Sequence, residues 1–288
     1  MVRRAGIVAA VALCLLLSGC RPEAAGNASA PAPASPQPAA TQPAAGVRLP
    51  PTGARFDYQL GGAYAPATGV AVVERDSTAR PAAGRYNICY LNAFQTQPGE
   101  LPAWKKRHPQ LLLRHDGRLV TDPDWPDEVL LDTSSAAKRS ALASVIGARI
   151  AHCAAAGFDA VEPDNLDSWT RSHQRLTADD NVRFAALLAR RAHAAGLAIA
   201  QKNAGELGSR GRTEASLDFA VAEECQVYGE CGDYTAVYGS HVIEIEYTDN
   251  GRAAFTRACA ARGRIVSVLL RDRDVVPSDD RAYVSRWC

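Results

Sequence analysis

From residue 54 to its end, this 288-residue chain alternates short β-branched runs with longer alanine-rich stretches. That order constrains the fold more than any other feature, because parallel strands need a crossover, usually helical, between neighbours. The short β-branched runs predict strands at Phe56–Leu60, Val70–Glu74, Tyr86–Leu91, Val129–Asp132, Ala160–Glu162, Leu197–Lys202, Phe219–Glu223, His241–Tyr247 and Ile265–Leu270. Between them, Ala136–Ala156 carries Leu142, Val145, Ile146 and Ile150 on one face, and Ala178–Ala195 carries Phe184, Leu187 and Leu188. This is the spacing of amphipathic helices, and Arg252–Arg262 is a third. Gly157 and Gly196 stand where a left-handed cap is wanted, and Thr177 precedes an acidic first turn. The α/β order over about 235 residues predicts a (β/α)8 TIM barrel. A doubly wound sheet is the alternative, but no Gly-x-Gly-x-x-Gly follows the first strand.

The residues before this domain read differently. Met1 to Cys20 has two arginines, an apolar run from Ile7 to Leu17 and the ending Leu-Ser-Gly-Cys, as in a bacterial lipoprotein signal peptide. The run is shorter than the roughly 20 residues of a membrane span. The ending resembles a lipobox, which predicts lipidation at Cys20 and an extracytoplasmic protein held to the membrane through that lipid alone. Residues 21–51 carry eight of the chain's 17 prolines and no periodicity, so they are expected to be a linker. The domain is then residues 52–288.

Charge and cysteine content narrow the partners. The formal charge is +1, and about −1 once Arg3 and Arg4 leave with the leader, so no field is present to recruit nucleic acid. Of eight cysteines, six remain in the domain, an even number suited to an oxidising compartment. Fifteen connectivities are possible. Cys225 and Cys231, close in a turn-rich segment, are the first pair expected to bond. A zinc site competes at that pair, but no Cys-x-x-Cys or His-x-x-x-His lies near it.

In such a barrel, chemistry sits at the C-terminal strand ends. Acids cluster there: Asp132; Glu162, Asp164 and Asp167; Glu223 and Glu224; and Glu244 and Glu246. Asp132, before Thr-Ser-Ser, is expected to cap the following helix. Lys202 and Asn203 end another strand, with Gln59 and Asn92 near the mouths of early ones. Converging carboxylates raise at least one pKa, as glycoside hydrolysis requires. Tyr58, Tyr90, Trp169, Tyr228 and Tyr247 offer faces for sugar rings. No Gly-x-Ser-x-Gly elbow or phosphate-binding glycine loop is present, and the six histidines lack ligand spacing. No cofactor or metal is expected.

These residues resemble glycoside hydrolase family 114, the endo-α-1,4-polygalactosaminidases. The resemblance runs through Phe56-Asp-Tyr-Gln-Leu, Ile88-Cys-Tyr, Gly157-Phe-Asp-Ala-Val-Glu-Pro-Asp-Asn-Leu-Asp, Ala192-His-Ala-Ala-Gly-Leu, Lys202-Asn, Glu223-x-Cys-x-x-Tyr-x-Glu-Cys and Glu246-Tyr. It implies a TIM barrel that hydrolyses α-1,4-linked galactosamine polymers without a cofactor. It places the catalytic pair at Asp164, as nucleophile or base, and Glu223, as general acid, with the two roles exchangeable. Lys202 would hold Asp164 ionised or bind substrate. Tyr58, Tyr90, Glu162, Asn165, Asp167, Asn203, Tyr228, Glu246 and Tyr247 are expected substrate contacts. Glu162, Asp167, Glu224 and Asp233 can also hold substrate ammonium groups. Ala222 replaces a common Asn of the family, and Leu91-Asn-Ala-Phe-Gln-Thr-Gln replaces a Ser-Ala-Gly-type turn, which bears on subsite specificity.

Two alternatives remain at this point: a glycosidase on another envelope glycan, and a non-catalytic polysaccharide-binding lipoprotein. A monomer is expected in each case. For the anchor, a Cys20→Ala variant of the full chain expressed in a bacterium is expected to lose incorporation of alkyne-labelled palmitate and to leave the detergent phase. Retention of label in that variant would place the modification elsewhere.

Overall fold

A computed structural model describes residues 46–288; the leader, Cys20 and residues 21–45 of the proline-rich segment lie outside the described residues. Eight parallel strands form one sheet: β1 (Arg55–Gln59), β2 (Val70–Asp76), β3 (Tyr86–Asn92), β4 (Ala160–Asp164), β5 (Ala198–Lys202), β6 (Phe219–Glu223), β7 (Val242–Tyr247) and β8 (Ser267–Arg271). A short β9 (Ser285–Trp287) pairs antiparallel with β8. The strands follow chain order around the sheet, and the seam between β8 and β1 is bridged by side chains. Arg271 Nε donates to the Tyr58 carbonyl at 3.1 Å, and Trp287 Nε1 donates to the Phe56 carbonyl at 2.6 Å. This is the (β/α)8 barrel that the alternation predicts.

Strand alternation divides two cores. Phe56, Val72, Ile88, Ala160, Ala200, Val221, Ile245 and Leu269 point inward and fill the barrel. Their neighbours Val161, Ile199, Ala220 and Ala222 point outward against the helices. After the short α1 (Leu101–Arg107), α2 (Ala136–Ala156) lays Leu142, Ile146 and Ile150 on that surface, each fully buried and each worth about 1.5–3 kcal/mol. α3 (Ala178–Ala194) begins with a reciprocal capping box between Thr177 and Asp180, and Asp180 also takes Arg139 of α2 at 2.9 Å. Gly157 ends α2 in the left-handed conformation, φ 95°, which glycine adopts without a Cβ clash.

Three features depart from the sequence reading. Val129–Asp132 is no barrel strand; it makes only isolated bridges, to Gln95, Leu112 and Thr121. Its run of apolar residues mimics a buried strand, but Leu130 instead fills a small core with Leu113 and Val120 of the insertion between β3 and α2 and with Leu176 just before the next long helix. Asp132 there accepts from the Ser134 amide at 3.1 Å and pairs with Lys138, bracing the start of α2, while Ser135 is the N-cap. The links β1 to β2 and β2 to β3 carry no helix. Packing also starts before residue 52, because Val47 and Leu49 lie against the barrel core and Tyr86 Oη donates to the Arg48 carbonyl at 2.7 Å.

All six domain cysteines are paired: Cys89–Cys153, Cys225–Cys231 and Cys259–Cys288, spanning 64, 6 and 29 residues. Cys89–Cys153 staples β3 to α2 inside the outer core. Because chain-entropy stabilisation grows with loop length, its removal is expected to cost about 4 kcal/mol and removal of Cys225–Cys231 about 2. Denaturant unfolding of the double-alanine variants checks this order, and equal losses would contradict it.

Candidate active site

The C-terminal ends of β4, β5 and β6 place Asp164, Lys202 and Glu223 side by side on the inner face. Lys202 is 2 % exposed, and its Nζ lies 2.9 Å from Glu162, 3.4 Å from Asp164 and 3.4 Å from Glu223. It also donates to Tyr58 Oη at 3.2 Å. One buried ammonium therefore serves three carboxylates. Burial alone would lower the lysine pKa, but Asp164, Glu162 and Glu223 outweigh it and hold the lysine charged, well above its ordinary value.

The two acids at the rim are held differently. Burial pushes Asp164 up, but Lys202, the Tyr90 hydroxyl at 2.8 Å and the Asn165 amide at 2.7 Å outweigh it and keep the carboxyl below the usual aspartate range. Glu223 accepts from Asn203 Nδ2 at 3.0 Å and from the Tyr247 hydroxyl. Below them, Glu162 is fully buried and pushed up to about 7, burial being the largest cause. Asp164 and Glu223 remain about one-fifth exposed, at 19 % and 23 %.

Each of the three strand ends turns sharply through a left-handed residue: Asn165 at φ 67°, Asn203 at φ 48° and Glu224 at φ 59°. Asparagine tolerates that region, but a glutamate there must be held. Arg273 holds Glu224 with two bonds, at 2.6 and 2.9 Å, bridges to Asp249 at 2.9 Å and stacks 4.1 Å from the Tyr247 ring centroid. On the opposite rim Arg171 ties Asp122, Asp167 and Asn165 at 2.5, 2.9 and 2.7 Å.

A cleft of about 600 Å³ opens over the acids, lined by Tyr58, Tyr90, Asp164, Asn165, Asp167, Lys202, Asn203, Glu223 and Tyr247. A hollow of about 750 Å³ at the other end of the barrel, near Arg48 and Tyr86, has no carboxylate in its wall. Six expected substrate residues lie outside that wall: Glu162 is fully buried beneath it and Glu224 is taken up by Arg273, and four more lie farther off. Glu246 sits on the outward side of β7, where it accepts from the Gln226 amide at 2.9 Å; the even positions of that strand face the helices. Tyr228 is 70 % exposed at the end of a short helix outside the cleft. Trp169 packs on the outer core, and Asp233 lies exposed on a helix. Gln59 also points outward, to Arg75 at 2.9 Å, while Asn92 braces Asn165 at 2.9 Å. Cleft residues that the sequence reading passes over are Asp76, which ends β2 two positions beyond the predicted Glu74, Arg171, which ends a single 3-10 turn, and Asp122, Asp124, Trp125, Glu128, Arg273 and Asp274 on loops. Only the four-residue spacing of Asp167 and Arg171 gave a signal for any of them.

A (β/α)8 barrel with acids gathered at its C-terminal mouth is an architecture that glycoside hydrolases use. The family model of glycoside hydrolase family GH114 matches residues 36–288, and the chain belongs to that family. The crystal structure of Aspergillus fumigatus Ega3 in complex with galactosamine superposes with a TM-score of 0.64 at 24 % identity, over 84 % of this chain and 98 % of that one. The glycoside hydrolase domain of PelA from Pseudomonas aeruginosa gives 0.56 at 14 % identity, over 80 % and 98 %. These likenesses show the shared barrel. No curated protein matches the chain.

Removing the buried cation tests this geometry. Lys202→Met is expected to lower unfolding free energy by about 3 kcal/mol, because it strands buried carboxylates. In the wild type Asp164 adds stability that is present above the ordinary aspartate range and lost as pH falls through its depressed folded value; without Lys202 the stranded carboxyls take up protons instead, so the variant should lose less stability on acidification than the wild type. Unfolding curves across pH measure both effects; unchanged acid sensitivity would contradict the role given to Lys202.

Proposed function

We propose that the protein cleaves α-1,4 linkages inside galactosamine-containing polysaccharide, with Asp164 as nucleophile and Glu223 as general acid and base. The observation that carries this reading is the shared lysine. Both acids lie 3.4 Å from Lys202 Nζ, so their nearest oxygens are less than twice that distance apart. That limit accommodates the ~5–5.5 Å separation of retaining glycosidases. Asp164, held ionised, suits attack on the anomeric carbon, and the proton for the leaving oxygen then falls to Glu223. Glu223 next takes a proton from the water that releases the sugar.

The cleft wall supports a cationic polymer. Asp76, Asp122, Asp124, Glu128, Asp164, Asp167, Glu223 and Asp274 face it against Lys202, Arg171 and Arg273, eight acids to three cations. Free galactosamine units are ammonium ions near neutral pH and gain from that excess. Trp125, 62 % exposed at the cleft edge, offers a flat face for one ring. The galactosamine bound to Ega3 supports the same class of substrate. The Leu-Ser-Gly-Cys motif supports placing this activity at the cell envelope, tethered through Cys20.

The test incubates the full chain with partly deacetylated α-1,4-galactosaminan and follows reducing ends. Asp164→Asn and Glu223→Gln are each expected to lose at least about 1,000-fold in kcat/KM, about 4 kcal/mol of transition-state stabilisation. The first product seen by proton NMR should keep the α configuration. Tight binding without product would instead favour a carbohydrate-binding protein, and neither binding nor cleavage would point to another glycan.

A further inference from the structure

Beneath the Lys202 cluster lies one carboxyl group that no step above uses. Glu74 occupies an inward position of β2, fully buried, and neither of its oxygens meets a donor. Glu162 has the matching defect. Its Oε1 accepts from Lys202 at 2.9 Å, while its buried Oε2 has no partner. The two carboxyls lie within hydrogen-bonding reach of each other. Unpaired buried polar atoms are costly, and two carboxylates in contact cannot both be charged. A single proton between them removes both problems.

We propose, on the reading of Asp164 and Glu223 as the catalytic pair, that Glu74 is a positioning residue: a neutral carboxylic acid whose hydroxyl donates to Glu162 Oε2 and keeps Glu162 anionic against Lys202. The proton rests on Glu74 because Lys202 contacts Glu162 and not Glu74. The charged and titratable groups facing Glu74 are Tyr58 from β1, Glu162 and Asp164 from β4 and Lys202 from β5. Burial, then the Glu162 charge, raises the Glu74 pKa well above the usual glutamate value, in keeping with the acid form.

The consequence reaches the rim through Lys202. An anionic Glu162 takes part of the lysine's charge, leaving less to hold Asp164 and Glu223 ionised. Without its donor, Glu162 picks up a proton near neutral pH. Lys202 then bears on the two rim acids alone.

The experiment compares Glu74→Gln with Glu74→Leu in the full chain. Glutamine keeps a neutral donor toward Glu162; leucine removes it. In the pH profile of kcat/KM, the leucine variant should move the alkaline limb down by about one unit and lose about tenfold in kcat. The glutamine variant should restore both the limb and most of the rate. If Glu74 were ionised, glutamine would delete a charge and displace the limb as leucine does, which overturns the proposal. A second readout needs no substrate. The infrared C=O stretch of a buried protonated acid, shifted in heavy water, should be present at neutral pH and missing from Glu74→Gln. Its persistence in that variant overturns the proposal even if the substrate reading fails, and loss of the band alongside an inactive wild type would fault only that reading.

Discussion

The active end of this barrel depends on one buried ammonium. Lys202 is the cation that Glu162, Asp164 and Glu223 share inside the barrel, and each of the three would be costly to bury alone. Its position follows from strand parity. Ala198 and Ala200 precede it on the inward side of β5, and their small side chains leave the interior volume to Phe219, Phe56 and the long lysine stem. A smaller or shorter residue at 202 would leave no counter-charge where the β4 and β6 acids converge.

Around that centre the rim is braced by two arginines. Arg273 fixes the strained Glu224 turn and covers Tyr247, whose hydroxyl reaches Glu223. Arg171 does the equivalent for Asn165, whose amide reaches Asp164. Each candidate catalytic carboxylate is thus oriented by a backbone turn or a tyrosine that an arginine in turn holds. Such layered support is what precise carboxyl placement requires.

The parts legible in the sequence were those set by local periodicity. Eight of the nine strand candidates are barrel strands, and α2 spans the residues its apolar spacing predicts. Asp164, Lys202 and Glu223 stood out because each ends a strand with a reactive group. Val129–Asp132 misled because a buried apolar run has no period of its own, and Glu246 misled because one residue of parity separates the mouth from the helix layer. Trp125 and Arg273 were invisible as cleft residues, since loops carry no periodicity from which to read a direction.

Sequence alone determined the α/β class, the barrel, and which strands end in acids, because hydrophobic alternation and helix spacing are properties of neighbours along the chain. Tertiary structure decided which acids meet. Strands β4, β5 and β6 bring residues 164, 202 and 223 onto one cation, and register places Tyr90 of β3 opposite Glu162. It also decided that Cys89 bonds Cys153 across 64 residues and that Glu74 lies under the site from a distant strand. Those contacts depend on closing the sheet into a barrel, a constraint that acts across the whole chain and leaves no mark on any short stretch of it.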